Sequence, residues 1–98
     1  MAKSAMGRYL AQVMREARER AGRKPYNVAS APPGMEGADP STIYRFEREE
    51  RWPRNADHMV DLYAADLDIE PLELWRRALE LWQLEAEIAA DERAHPTR

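Results

Sequence analysis

The stretch Asp39-Pro40-Ser41-Thr42-Ile43-Tyr44-Arg45-Phe46-Glu47-Arg48, followed by Arg51-Trp52-Pro53, decides how this chain is read. An aspartate before a proline is a strong helix start: the carboxylate caps free N–H groups, and proline at the first helical position loses nothing by lacking one. The helix it opens runs to about Glu49. It places Ile43 and Phe46 on one face with Glu47 beside them, and leaves Ser41, Thr42, Tyr44, Arg45 and Arg48 on the rest of its surface.

Upstream, Pro25-Tyr26-Asn27-Val28-Ala29-Ser30-Ala31 predicts about two helical turns, again with proline at the start. Pro32-Pro33-Gly34 ends them and Met35-Glu36-Gly37-Ala38 prolongs the loop. Before that, from Gly7 to Ala21, the residues Leu10, Val13, Met14, Ala17 and Ala21 recur at the helical period. Ser4 is a candidate cap for this first helix, Gly22 its stop, and Gln12, Arg15, Glu16, Glu19 and Arg20 its outward face. Two short helices after a longer one suggest a helix-turn-helix. Its second short helix has a small, polar N-terminus with an arginine one turn on, which suits entry into a major groove, where Arg forks to guanine. A plain helical hairpin with a polar outer face accounts for this segment equally well.

Downstream, a fourth helix starts at Arg54 or Asn55 and runs through Ala64, with Met59, Leu62 and Tyr63 inward and Val60 at the margin. His58 between Asp57 and Asp61 reads as a surface histidine, since three groups from one turn make a poor metal site. Glu70-Pro71 opens a last helix to about Asp91, with Glu73 in its positive first turn. Leu72, Trp75, Leu79, Trp82, Ala86 and Ala89 form one apolar stripe on it, and Leu74, Leu81 and Ile88 a second row seven residues apart. One row packs on the core; the other is left for a partner. Trp75, Leu79, Leu81, Trp82 and Ile88 are the candidate dimerisation residues.

These elements make an all-α fold of five helices with an extended C-terminal helix. Ninety-eight residues, 44% hydrophobic, fit one domain: a core over 7–80, a helix extension over 81–91 and a flexible tail over 92–98. The absence of cysteine removes disulfides, thiolate metal sites and cysteine nucleophiles, and neither a phosphate-cradling glycine loop nor a serine with a plausible histidine partner is present. The expectation is a non-enzyme without cofactor or metal. Charge every few residues from the start excludes a signal peptide or membrane span there, so a cytoplasmic chain is expected. Charge is also divided. Residues 1–54 carry eleven Lys and Arg against seven acids, a net of +4, whereas residues 55–98 have four against eleven, a net of −7. A basic half suits a polyanion, with the acidic half turned away.

The order of these motifs resembles the Cro and lambda-repressor type of helix-turn-helix domain, also called the xenobiotic-response-element (XRE) type. Its usual recognition segment has the form S-x-x-T-I-S-R-I-E-R-G, with R-x-P shortly after. Thr42-Ile43 and Arg45-Phe46-Glu47-Arg48 match it, with Asp39 in place of the capping serine. Ala17-Arg18-Glu19-Arg20-Ala21-Gly22 is similar to the end of the family's first helix, Val28-Ala29 to the Leu-Ala pair of its second, and Leu67-Asp68-Ile69-Glu70-Pro71-Leu72-Glu73-Leu74 to the entry into its fifth. The resemblance spans roughly residues 7–80. It departs in three places: Gly22 to Thr42 is about four residues longer than usual, Pro25 replaces the phosphate-gripping glutamine of the second helix, and Pro40 occupies a common base-reading position.

The resemblance implies a dimeric DNA-binding transcriptional regulator, a repressor of phage or mobile-element type. It implies duplex DNA as the partner, with Lys24, Tyr26, Asn27, Ser41, Thr42, Tyr44, Arg45, Arg48, Arg51 and Arg54 as contacts. Arg18 and Glu47 are implied as a structural ion pair tying the recognition helix to the first helix. The alternative is a protein-binding adaptor or antitoxin-like module on the same scaffold, using its acidic C-terminal helix.

Overall fold

A computed structural model describes residues 5–50 and 53–94 of the chain, and over these it is all-helical. Five helices follow in order: α1 (Ala5–Arg20), α2 (Pro25–Ala29), α3 (Pro40–Glu49), α4 (Ala56–Leu67) and α5 (Pro71–Ala94). Ser4, Arg51, Trp52 and the last four residues lie outside the described residues.

The ends of these helices follow from their residues. Gly22 turns left-handed (φ +71°) after α1, and the Arg23 N–H then reaches back to the Arg18 carbonyl at 3.1 Å, closing the helix end. Asp39 caps α3, its Oδ1 accepting from the Ser41 backbone N–H at 2.9 Å and from the Ser41 hydroxyl at 3.0 Å. Those bonds, the backbone one first, hold the Asp39 carboxyl below its ordinary range, with Arg45 adding to the effect. Asn55 is the cap of α4 rather than its first residue, accepting from His58 N–H at 3.3 Å.

Three boundaries differ from expectation. α2 stops at Ala29, two residues early, because the chain returns onto its end: Ala38 N–H donates to the Ala29 carbonyl at 2.8 Å. Gly37 comes so close that a Cβ there would lie 2.6 Å from that same carbonyl oxygen, so the long connection is latched to α2 at a point only glycine fits. α4 continues past Ala64 to Leu67. α5 runs through Glu92–Ala94, placed in the expected tail, because nothing in Glu-Arg-Ala stops a helix before Pro96.

The core is the meeting of the inward faces. Leu10 and Met14 of α1, Val28 of α2, Ile43 of α3, Leu62 and Tyr63 of α4, and Leu74 of α5 are fully buried or nearly so. Val60, placed at the margin by its sequence position, is also fully buried, whereas Ala21 falls beyond α1 and is exposed. α1 packs on α3, α4 and α5, and α2 on α3 and α4. α1 is antiparallel to α5. Tyr9 near its start donates to Glu85 at 2.9 Å, while Arg20 and Ala21 at its end border a cavity with Arg77 and Ile69.

Candidate nucleic-acid interface

α3 is amphipathic in the sense that matters for a reading helix. Ile43, Phe46 and Glu47 are buried, Thr42 is half-buried, and Ser41, Tyr44, Arg45 and Arg48 are exposed. Ile43 enters the core, and the Phe46 ring meets Tyr63 edge-on with centroids 6.2 Å apart.

Glu47 is the tether. Arg18 of α1 donates to it through two parallel bonds, Nε to Oε2 and Nη2 to Oε1, both at 2.8 Å, with each side chain largely buried. The Tyr63 hydroxyl of α4 donates to Oε2 at 2.5 Å, and the third guanidinium nitrogen, Nη1, donates to the Arg23 carbonyl at 2.8 Å. One carboxylate thus joins α3 to α1 and α4 and reaches, through Arg18, the turn before α2. A buried carboxylate is stable only when its lone pairs are taken up, and here both oxygens are. Burial, and then the bond to Glu47, push the Tyr63 hydroxyl well above its ordinary pKa, so it stays a donor. Sequence reading placed Tyr63 in the core without assigning its hydroxyl. The signal was a tyrosine on an inward face, whose O–H must find a partner when buried.

The arginines sort themselves by partner. Arg8 lies 3.6 Å from Glu85, Arg23 pairs with Asp66 at 2.6 Å, and Arg76 and Arg77 both engage Glu73. Among the described residues no ion pair holds Lys24, Arg45, Arg48 or Arg54, all of them exposed. Lys24 and Tyr26 stand at the start of α2, Tyr26 being 57% exposed, and α2 packs directly on α3. Asn27 is half-buried and already used, its Oδ1 accepting from the Lys24 backbone N–H at 2.9 Å, which leaves its amide nitrogen as the group available to a ligand. Arg54 precedes α4; Arg51 lies outside the described residues. Glu49 and Glu50 are half-buried at the end of α3, Glu50 in the left-handed cap position.

The expected dimerisation residues do not share one face. Leu79 and Trp82 are 44% and 43% exposed, but Trp75 and Leu81 are half-buried against the chain's own core, and Ile88 lies on the opposite flank near Leu84. The reason is the packing of α1 and α4 on α5, which buries its Leu74, Ala78 and Leu81 side and so splits the exposed apolar surface in two. No group of three or more His, Asp or Glu suited to a metal ion occurs among the described residues, and none of their helices is long and apolar enough to cross a membrane.

No family model, curated protein or solved structure matches this chain.

Proposed function

We propose that this chain is a sequence-specific DNA-binding transcriptional regulator of the Cro and lambda-repressor type, acting as a homodimeric repressor of phage or mobile-element style in the cytoplasm. One observation carries the reading: α3 is fixed from within by Arg18, Glu47 and Tyr63 while its outer face offers Ser41, Tyr44, Arg45 and Arg48. A helix that reads bases must be rigid in position and unoccupied on its outer surface. Arg45, one turn into the helix, forks to a guanine edge, and Ser41, Thr42 and Tyr44 reach base edges or phosphates beside it. Lys24, Tyr26 and Asn27 at α2, and Arg48, Arg51 and Arg54 after the reading face, hold the phosphate backbone. Neither catalysis nor a cofactor enters this reading. One short helix reads only a few base pairs, so two copies on a two-fold axis are needed to single out a site, with half-sites about 34 Å apart.

A second reading, a protein-binding adaptor or antitoxin-like module, is favoured by Leu84 and Ile88, each about half exposed on the acidic part of α5. Selection of bound sequences from a random duplex pool at stated salt separates the two. A recovered near-palindrome supports the regulator. A pool that stays random, from protein shown to be folded, supports the adaptor.

A further inference from the structure

Along one side of their antiparallel contact, α1 and α5 leave an open trough. Its larger part, about 290 Å³, takes its apolar surface from Val13 and Ala17 of α1 and from Leu81 and Leu84 of α5. A smaller part, about 210 Å³, continues to Ala21 and Ile69, and Ala17, Arg20 and Arg77 line both. Val13 and Ala17 are buried and make the floor, Leu81 is half-buried, and Leu84 is a rim residue at 54% exposure. Ile88, one turn beyond Leu84 and half exposed, prolongs that rim.

The charges on the walls fall in tiers. Glu16 and Glu80 line the middle of the trough, and Arg20 and Arg77 stand one turn further toward Ile69. Toward the opposite end the neighbours of Leu84 and Ile88 include Glu87, Asp91 and Glu92. Glu80 is held by Arg76, whereas Glu16 accepts only from the Gln12 amide at 3.5 Å. Arg20 is exposed and in no ion pair among the described residues, and Arg77 gives only its Nε, to Glu73, which leaves its terminal nitrogens for a further carboxylate. The trough is therefore acidic at one end and cationic at the other, with an apolar floor between.

Shape decides the class of occupant. Small-molecule sites are pockets of ~300–1,000 Å³ that enclose most of the ligand. This trough is open along its length. Its apolar residues recur at helical spacing on both walls (Val13 and Ala17; Leu81, Leu84 and Ile88), so the groove accepts the side-chain ridge of a third helix.

We infer that the α1–α5 trough docks an amphipathic helix of a partner protein, its apolar strip on Val13, Ala17, Leu81 and Leu84, a carboxylate of one end on Arg20 and Arg77, and a basic residue of the other end on Glu16 and Glu87. No residue of α2 or α3 lines the trough, so the docked helix leaves the outer face of α3 open. The inference is separate from the DNA reading above and stands or falls without it.

The probe is a synthetic peptide helix with a leucine strip, glutamates in its first two turns and lysines in its last two, a pattern that also suits its own dipole. Leu84→Ser and Arg20→Glu alter exposed positions, and each is expected to weaken peptide binding about tenfold. Leu79→Ser and Trp82→Ala, on the other exposed strip of α5, are expected to leave it unchanged. A second peptide with lysine in place of every glutamate is expected to recover the affinity lost by Arg20→Glu, the coupling that a direct charge contact produces. Absence of binding at about 200 µM peptide, a level that detects even weak contacts, overturns the inference. So does an Arg20→Glu protein that binds both peptides as the parent does, or a loss on Trp82→Ala equal to that on Leu84→Ser. Sedimentation of the protein alone gives the remaining outcome: self-association abolished by Leu84→Ser would make the occupant a second copy and overturn the partner helix.

Discussion

Arg18 and Glu47, twenty-nine positions apart, meet through two 2.8 Å hydrogen bonds in the interior, and the Tyr63 hydroxyl shares one of the same carboxylate oxygens. This network positions α3, so its parts have unequal worth. Glu47→Ala strands the Arg18 charge and is expected to destabilise the fold by ~3–5 kcal/mol. Tyr63→Phe keeps the ring against Phe46 and removes one bond to a charged acceptor, at ~1.5–3 kcal/mol. Urea unfolding of the two variants orders them, and a Tyr63→Phe protein as stable as the parent would show that the hydroxyl is not part of the tether.

Lys24, Arg48 and Arg54 are expected to act on phosphates. Each neutralised phosphate contributes about −0.9 to the slope of log affinity against log salt on duplex DNA. Replacing any one of the three by Ala should weaken selected and random duplexes alike and flatten that slope by about 1. Titrations between about 50 and 200 mM salt give the slopes. Affinity indifferent to salt would remove the phosphate role and favour the adaptor reading.

Asp39 ties stability to pH in a defined direction. Its carboxyl is held below the ordinary range by Ser41, so its contribution is present above the unfolded value, about 4, and is lost as pH falls through the lower folded value. Asp39→Ala is expected to lower the melting temperature at pH 7, with the gap to the parent narrowing below pH ~4. Asp39→Asn retains a cap and should lose the pH-dependent part alone. Thermal melts of the three proteins from pH 7 to about 2.5 check this; a constant gap would mean that the carboxylate contributes nothing as a charged cap.

Gly37→Ala is expected to cost ~1–3 kcal/mol, since its Cβ would sit 2.6 Å from a backbone oxygen that cannot yield as a flexible side chain does. Gly34, which unlike Gly37 is left-handed (φ +90°) and has open space around it, would meet strain from its φ rather than a clash. Chemical unfolding of Gly37→Ala measures the latch between the connection and α2, and an unchanged midpoint would show that the connection moves away freely.

What was legible in the sequence was local. Asp39-Pro40, Gly22, Asn55 and Glu70-Pro71 state their helix ends in residue chemistry, and the five-helix all-α fold follows from them and from the 3.6-residue period. What was not legible was set by distant parts of the chain. Nothing between Pro25 and Ala31 announces that α2 stops at Ala29; that is decided by Gly37 and Ala38 returning onto its last carbonyl. The two apolar rows of α5 are equally periodic, and only the packing of α1 and α4 on it decides that Leu74 and Leu81 turn inward while Leu79 and Trp82 stay out. In the candidate site, the exposure of Tyr44, Arg45 and Arg48 follows from helix phase, whereas the Tyr63 hydroxyl became informative once Glu47 was seen beside it.

The central claim, that the outer face of α3 reads duplex DNA, is tested most directly by Arg45→Ala, with affinities for a selected site and for random duplex measured side by side at one salt concentration. Arg45 is exposed and outside the Glu47 tether, so the variant keeps its fold. A lost base contact costs ~1–3 kcal/mol on the selected site and relaxes preference at one base pair, while random-duplex binding falls far less. Equal weakening of both duplexes, or of neither, would contradict the claim.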